Sequence, residues 1–462
     1  MLDVVVKNAV LFTVSGRTEG DIAIKDGKIV RIGYVQEQAD RVINAQGKYV
    51  FPGLVDGHTH MEMPFMGTVT ADDYFTGSNA AVAGGVTTIV DFILPNKGED
   101  LIAAFQRVKN SADSKAIVDF GLHMIIREAT EKNLSQLKNL ILDLGVVSYK
   151  MFMAYKGELL VDDKTLFKTI REISKYGGVA GIHAENGEVI DELITQYVLE
   201  GKIDPVFHAY SRPEILEYEA INRVASMASV VPNSRLYIVH CSIAEGADVM
   251  TNFRRQGLKF FTESCPHYFI FNIEALKRKD GYRFICTPPF RSEEQRTKLW
   301  QRLAAGEIFT IGSDHAAFSE SQKKRFQDKP PSFHQVPNGV PGVETILPIM
   351  FNFGVRKGII STEQLVEVTS YNPSRLYGLY PQKGTVMPGS DADLVILDPN
   401  KHVRISTDIL HSNLDYTIYE GIEVDGWPVL TIRRGEIVHE EGQILGKKGS
   451  GKYIKGKAPV EI

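Results

Sequence analysis

The middle of the chain alternates between short, almost continuously apolar runs and amphipathic stretches. Eight apolar runs fall at 54–60, 87–94, 118–126, 148–155, 178–185, 235–242, 259–267 and 309–315. Between them lie segments of helical periodicity such as 163–176 and 245–255. Strands that lack a polar face belong to a parallel sheet covered by helices on both sides. Eight strand–helix units over about 260 residues match the size of a (β/α)8 barrel of the TIM type. A doubly wound open sheet is the competing arrangement, but the GxGxxG turn it often carries after its first strand is missing. The pattern therefore predicts an α/β barrel.

The two ends follow a different rule. Val4-Val5-Val6, Ile22-Ala23-Ile24 and Ile29-Val30-Arg31-Ile32 read as strands, the last two flanking an Asp26-Gly27 hairpin turn. The same texture returns at Asp393-Leu394-Val395-Ile396-Leu397, Val429-Leu430-Thr431-Ile432 and Glu436-Ile437-Val438-His439. A small β unit assembled from both termini is expected, from 1–51 and 380–446, around a barrel over 52–379. Ser361-Thr362-Glu363-Gln364 has capping-box spacing and predicts a helix start. The tail, 447–462, opens with five lysines over 447–457 interleaved with glycines, which reads as a solvated or subunit-crossing arm.

Composition narrows the field. Of 462 residues 43% are hydrophobic and 24% charged, an ordinary globular balance. The 52 Lys+Arg against 57 Asp+Glu leave a net charge of −5, which argues against nucleic acid as a partner. Three cysteines (Cys241, Cys265, Cys286) are too few for a disulfide framework. The first twenty residues lack a secretory pattern, and no run of about 18 apolar residues exists to span a bilayer. A cytoplasmic protein without membrane association is expected.

Polar residues at the ends of the apolar runs carry the chemistry. His58-Thr59-His60 closes the first run, and residues at i and i+2 of a strand share a face. Lys150 sits in the fourth run, His183 ends the fifth, His240 the sixth, and Gly312-Ser313-Asp314-His315 the eighth. In a barrel these ends meet at the active-site mouth. Each residue separately has a core or salt-bridge explanation, but their joint placement points to a metal centre. A protonated lysine would repel cations. Burial disfavours its charge, and a neutral amine can add carbon dioxide, giving N6-carboxylysine, an anion able to bridge two divalent ions. Neutral imidazoles suit zinc, and a centre with an open position is the catalytic kind. A salt bridge from Lys150 to Asp91 or Asp314 is the competing reading.

These residues resemble the binuclear cyclic amidohydrolases, and most of all the hydantoinase/dihydropyrimidinase branch. Supporting strings are Lys150-Met151-Phe152-Met153-Ala154-Tyr155, His208-Ala209-Tyr210-Ser211-Arg212-Pro213, Thr287-Pro288-Pro289-Phe290-Arg291, Pro337-Asn338-Gly339 and Gly389-Ser390-Asp391-Ala392-Asp393-Leu394. The resemblance implies that His58 and His60 hold the more buried of two divalent ions with Asp314. It implies that His183 and His240 hold the other, with carboxylated Lys150 bridging. It further implies that Tyr155 donates to the developing oxyanion, that Thr287 and Asn338 bind a small cyclic ureide or imide through backbone groups, and that Asp314 moves the proton. A barrel flanked by a β-sandwich built from both termini, and a homo-oligomer, dimer or tetramer, are implied as well. Thr287 replaces the family's usual serine, Ala316 a frequent cysteine, and Glu344-Thr345-Ile346 a common Glu-Asp-Arg string.

The segment after the HxH, Met61-Glu62-Met63-Pro64-Phe65, has no arginine to clamp a carboxylated ring. Met63, Phe65, Phe152 and Leu159 read instead as an apolar pocket for a ring substituent. Hydrolysis of hydantoins or dihydropyrimidines to N-carbamoyl amino acids is thus expected. An allantoinase-like enzyme, a non-catalytic dihydropyrimidinase-related scaffold and a mononuclear deaminase are the alternatives.

Overall fold

The structure is a computed structural model and describes residues 1–325, 327 and 331–458. The eight apolar runs form eight parallel strands: Leu54–Thr59, Val86–Ile93, Asp119–Ile125, Ser148–Phe152, Val179–His183, Arg235–Ile238, Lys259–Ser264 and Thr310–Ile311. They pair in sequence order. A parallel bridge from Thr59 to His315 joins the last to the first, helped by the His60 N–H donating to the His315 carbonyl at 2.9 Å. Almost every residue of these strands is buried, as continuous apolar runs require. The amphipathic stretches become helices that cover them. Asp163–Ser174 turns Leu166, Ile170 and Ile173 inward, and Ala244–Arg255 turns in Ala247 and Met250.

Both termini supply a separate nine-stranded, mostly antiparallel sheet. Its order runs from Gln443–Ile444 through Glu436–Glu440, Glu423–Arg433, Leu394–Arg404, Tyr49–Pro52, Leu2–Thr13 and Gly16–Lys25 to Lys28–Gly33. Ala39–Asn44 lies alongside Leu2–Thr13. Asp26 (φ 50°) and Gly27 (φ 73°) both adopt the left-handed conformation that a two-residue hairpin turn needs. Alternation sets the two faces. Leu394 and Ile396 pack with Val4, Val6, Leu11, Ile22 and Ile24 inside the sheet's own core, whereas Val395 and Leu397 join the barrel's core. The helix after Ser361 begins with the capping box its spacing predicts, closed by Gln364. Among the described residues no helix is long and apolar enough to cross a membrane.

The tail corrects an expectation. Residues 451–457 are not a solvated arm. They run along the barrel's own floor. Gly451 N–H donates to Ala116 O at 2.9 Å, Phe120 to Lys452 at 2.9 Å, Ile454 to Phe120 at 2.8 Å and Gly456 to Gly145 at 3.0 Å. The glycines are there for close approach: a Cβ on Gly451 would sit 2.0 Å from Val118 O. Ile454 is buried while Lys452, Lys455 and Lys457 point outward, so the lysines solubilise a strap that is packed on its other side. The last four residues lie outside the described part.

Candidate metal centre

Residues from five strand ends converge on one point above the barrel. Asp314 Oδ1 lies 3.2 Å from His58 Nε2 and 3.1 Å from His60 Nε2. The ligand atoms of these three buried residues lie within 4.8 Å of one another. Beside them, His183 Nδ1 and His240 Nε2 face each other at 2.9 Å. The His58 and His240 rings are 5.3 Å apart, which puts the two histidine pairs side by side. Lys150 is buried between the rings of Phe92 and Phe152, its Nζ 5.3 and 5.0 Å from their centroids. Its charge adds to the burial that depresses the imidazoles of His60, His183 and His240, so it lies within reach of both pairs.

The salt bridge weighed for Lys150 does not form with any described residue. Asp91 is occupied instead by the Tyr74 hydroxyl at 2.6 Å and the Thr59 hydroxyl at 3.0 Å. Burial lowers the Lys150 ammonium to about 8, bringing the neutral amine within range of physiological pH.

The donor set fits divalent cations. His58 Nδ1 donates to Glu263 Oε1 at 2.6 Å, and His183 Nε2 to Glu185 Oε2 at 2.8 Å. Each ring thereby turns its other nitrogen toward the centre, the usual carboxylate–histidine–metal arrangement. His58 Nε2, His60 Nδ1 and His240 Nδ1 are buried without a hydrogen-bond partner, a costly state for polar atoms. Burial holds His60 at about 4 and lowers His183 and His240 too, so these three rings are neutral near pH 7. Burial opposes ionisation of Asp314, but the imidazoles of His58 and His60 outweigh it and keep the carboxyl well below its usual range. Neutral imidazoles and an ionised carboxylate are the forms that bind metal. The buried His58–His60–Asp314 group beside the second histidine pair fits a binuclear site.

Backbone strain shapes the mouth. Tyr155 (φ 65°), His240 (φ 40°) and Asp314 (φ 49°) occupy the left-handed region just beyond their strands. Side-chain-bearing residues pay for that conformation and keep it where a site needs the geometry. Asp56 ties the first strand to the eighth: its Oδ1 accepts the backbone N–H of Ser313 at 3.0 Å and of His58 at 3.1 Å. His315 bonds Asp72 at 2.9 Å through Nε2 and accepts Gly342 N–H at Nδ1, 3.2 Å away.

The pocket over the centre has two unlike walls. Met63, Phe65, Phe152, Leu159, Ala316 and Phe318 cluster on the apolar one. Tyr155, Thr287 and Asn338 form the polar one. Asn338 Nδ2 donates to Thr287 Oγ1 at 2.7 Å and lies 3.5 Å from the Tyr155 hydroxyl. Burial pushes that phenol up to about 12, so it stays protonated and able to donate. All nine residues expected at the site therefore line one pocket.

Sequence reasoning missed the residues that support them. Glu263 holds His58, accepts the His240 N–H at 3.0 Å and takes the Tyr237 hydroxyl at 2.7 Å. Its signal was a charged residue near the end of the apolar run Phe260-Phe261-Thr262-Glu263. Glu185 and His208 stand inside strings already singled out but had no stated role. His208 Nε2 lies 3.2 Å from Thr287 Oγ1 and 2.9 Å from Cys286 O.

Residues 49–438 match the amidohydrolase family. A D-hydantoinase of Geobacillus stearothermophilus is 40% identical over 453 residues, covering 97% of this chain and 96% of that protein. Among solved structures, a dihydropyrimidinase from Brevibacillus agri superposes with a TM-score of 0.97 at 39% identity, over 100% of both chains. An L-hydantoinase (dihydropyrimidinase) from Arthrobacter aurescens gives 0.91 at 34% identity, over 98% of this chain and 100% of that one.

Proposed function

The chain belongs to the hydantoinase/dihydropyrimidinase family of cyclic amidohydrolases, and from that premise we propose that it opens hydantoin and dihydropyrimidine rings to N-carbamoyl amino acids. The observation that carries the substrate reading is the pocket: an apolar wall for the ring substituent faces a polar wall for the cyclic amide, with the metal-binding group between them.

In this reading His58, His60 and Asp314 hold one ion, His183 and His240 the other, and both are zinc. Lys150 would hold both as N6-carboxylysine: its neutral amine forms an N–C bond to carbon dioxide and gives up a proton to solvent, leaving a carbamate anion. The support is a buried lysine that pairs with no carboxylate among the described residues. When bound, the metal pair supplies acidified water near neutral pH and polarises the ring carbonyl.

The protein's own groups do the rest. Backbone groups at Thr287 and Asn338 hold the cyclic amide against the centre. Asp314 takes the proton from the attacking water and returns it to the ring nitrogen as the C–N bond breaks, base first and acid second. Without that proton the leaving nitrogen would depart as a strongly basic anion. Tyr155 donates to the carbonyl oxygen as it gains charge, a fixed donor aimed where charge develops. Met63, Phe65, Phe152 and Leu159 take an apolar substituent, and the segment 61–65 that supplies the first two has no arginine to favour a carboxylated ring. The same lining disfavours allantoin, and the filled ligand set disfavours a non-catalytic scaffold. We further propose a division into 1–51 with 380–446, 52–379 and a tail, a dimer or tetramer, and a cytoplasmic location.

A kinetic panel of 5-substituted hydantoins, dihydrouracil and allantoin, with metal content measured, tests the reading. Hydantoins and dihydrouracil should be opened by protein holding two ions per chain. Faster turnover of allantoin than of every hydantoin would overturn the substrate assignment.

A further inference from the structure

Lys323 is a second deeply buried lysine that pairs with no carboxylate among the described residues, and it stands apart from the metal centre. It is fully buried at the end of the short helix Glu320–Lys323, whose start is fixed by a Ser319–Gln322 capping box. Its ammonium donates to two backbone carbonyls, Ile285 O and Pro337 O, each at 2.8 Å. Ile285 O also accepts the Gly339 N–H at 3.0 Å. One carbonyl lies two residues before Thr287 and the other one residue before Asn338. Residues 285–287 and 337–339 themselves lie in neither strand nor helix, although each follows a short 3-10 helix, Gly281–Phe284 and Phe333–Gln335. Burying an ammonium against neutral carbonyls is costly unless its hydrogen bonds are kept, so a residue serving only to fill space here would be apolar.

We propose that Lys323 is a positioning residue for the substrate: its ammonium clamps the 285–287 and 337–339 segments together, so that Thr287 and Asn338 present their backbone groups at one fixed spacing to the cyclic amide. The 2.7 Å contact between the Thr287 and Asn338 side chains is the visible result of that spacing. The helix that supplies the clamp follows closely on Phe318 of the apolar wall, whose ring centroid lies 5.9 Å from Nζ, so both walls are referenced to one cation. The inference rests on the roles given above to Thr287 and Asn338.

The test is Lys323→Met, which keeps the volume of the stem and removes the donors, with Lys323→Gln as a second variant that keeps an amide donor. Wild type and both variants are assayed on one 5-substituted hydantoin, with metal content and melting temperature measured. A loss confined to substrate holding raises KM with kcat little changed. For Lys323→Met we expect KM to rise at least about tenfold and kcat to change by less than about threefold, with metal content at the wild-type level. Lys323→Gln should fall between the two, and it carries the test alone if the methionine variant does not fold. A KM within about twofold of wild type in a folded variant, or a kcat loss at constant KM, overturns the proposal. Wild-type protein that opens no hydantoin overturns the functional reading first, which separates that failure from this one.

Discussion

The barrel's mouth and floor are built from opposite ends of the same strands and treat buried charge in opposite ways. At the floor, Lys383 is buried among three carboxylates: its Nζ bonds Asp119, lies 2.9 Å from Asp391 and 2.8 Å from Asp393, and Arg434 Nε adds a contact to Asp119 at 2.9 Å. Burial works against the Lys383 ammonium, but Asp393, Asp119 and Asp391 outweigh it and raise it above the ordinary lysine value. At the mouth, Lys150 has aromatic rings around it and no carboxylate partner among the described residues, and burial alone drags it down to about 8. One lysine joins the terminal sheet to the barrel. The other is buried without such a pairing among the described residues. Full pairing is what a structural buried charge requires, and incomplete pairing is the mark of a site waiting for a ligand.

The floor is also closed by packing. Leu376, Tyr377, Leu379 and Ile454 cap the lower core formed by Val55, Val90, Val179 and Tyr237. Arg433 reaches from the terminal sheet to Ile117 O and to Ser450 Oγ, 3.0 Å away, tying sheet, barrel and tail together. The mouth instead holds a pocket, where three strained residues and several unpartnered imidazole nitrogens collect.

The contrast breaks most sharply if a mouth residue proves structural. Under the proposed mechanism Asp314→Ala removes both the proton carrier and a ligand, and it should lower kcat by at least about a thousandfold. Its unfolding free energy in the metal-free state should stay near that of metal-free wild type, checked by denaturant titration. At the floor the reverse is expected. Lys383→Met leaves Asp393 buried without a cation, and Asp119 and Asp391 with only Arg434 and Lys28 respectively, and should cost about 3–5 kcal/mol in denaturant unfolding. Turnover per folded, metal-loaded chain should stay within about twofold of wild type. The sign fixes the pH window: a pKa raised above 10.5 means the stabilisation is complete below that pH and fades only above it. The full cost therefore appears at neutral pH.

Smaller changes sharpen the picture. Tyr155→Phe removes one fixed donor and should reduce kcat about a hundredfold, or about 2.7 kcal/mol, with bound metal unchanged. Retention of full kcat would take the phenol out of the reaction. Ile454→Val trims one methylene from the plug and should cost about 1 kcal/mol of stability with no effect on kcat. A neutral result there would mean that the strap is only loosely seated.

Much of this molecule could be read along the chain. Eight apolar runs became eight barrel strands because a parallel strand is buried on both faces, and that condition is written directly into composition. The hairpin at Asp26-Gly27 and the helix start at Ser361 are local choices of backbone and cap. The histidines, Lys150 and Asp314 were legible because barrel topology sends strand ends to one place, so one-dimensional position implies a common neighbourhood.

What could not be read depends on partners distant in sequence. The lysine-rich tail looks like a solvated arm until Ala116, Phe120 and Gly145 are seen beside its glycines, since close approach leaves no composition signal beyond glycine itself. Glu263 and Asp56 look like stray charges until His58, His240 and Ser313 stand next to them. Whether a buried lysine is a staple, a clamp or a reactive amine is a matter of which oxygens surround it. Lys383, Lys323 and Lys150 are the same residue in a strip of letters; three carboxylates, two carbonyls and two aromatic rings make them three different groups, because burial magnifies whatever charge or dipole is nearest.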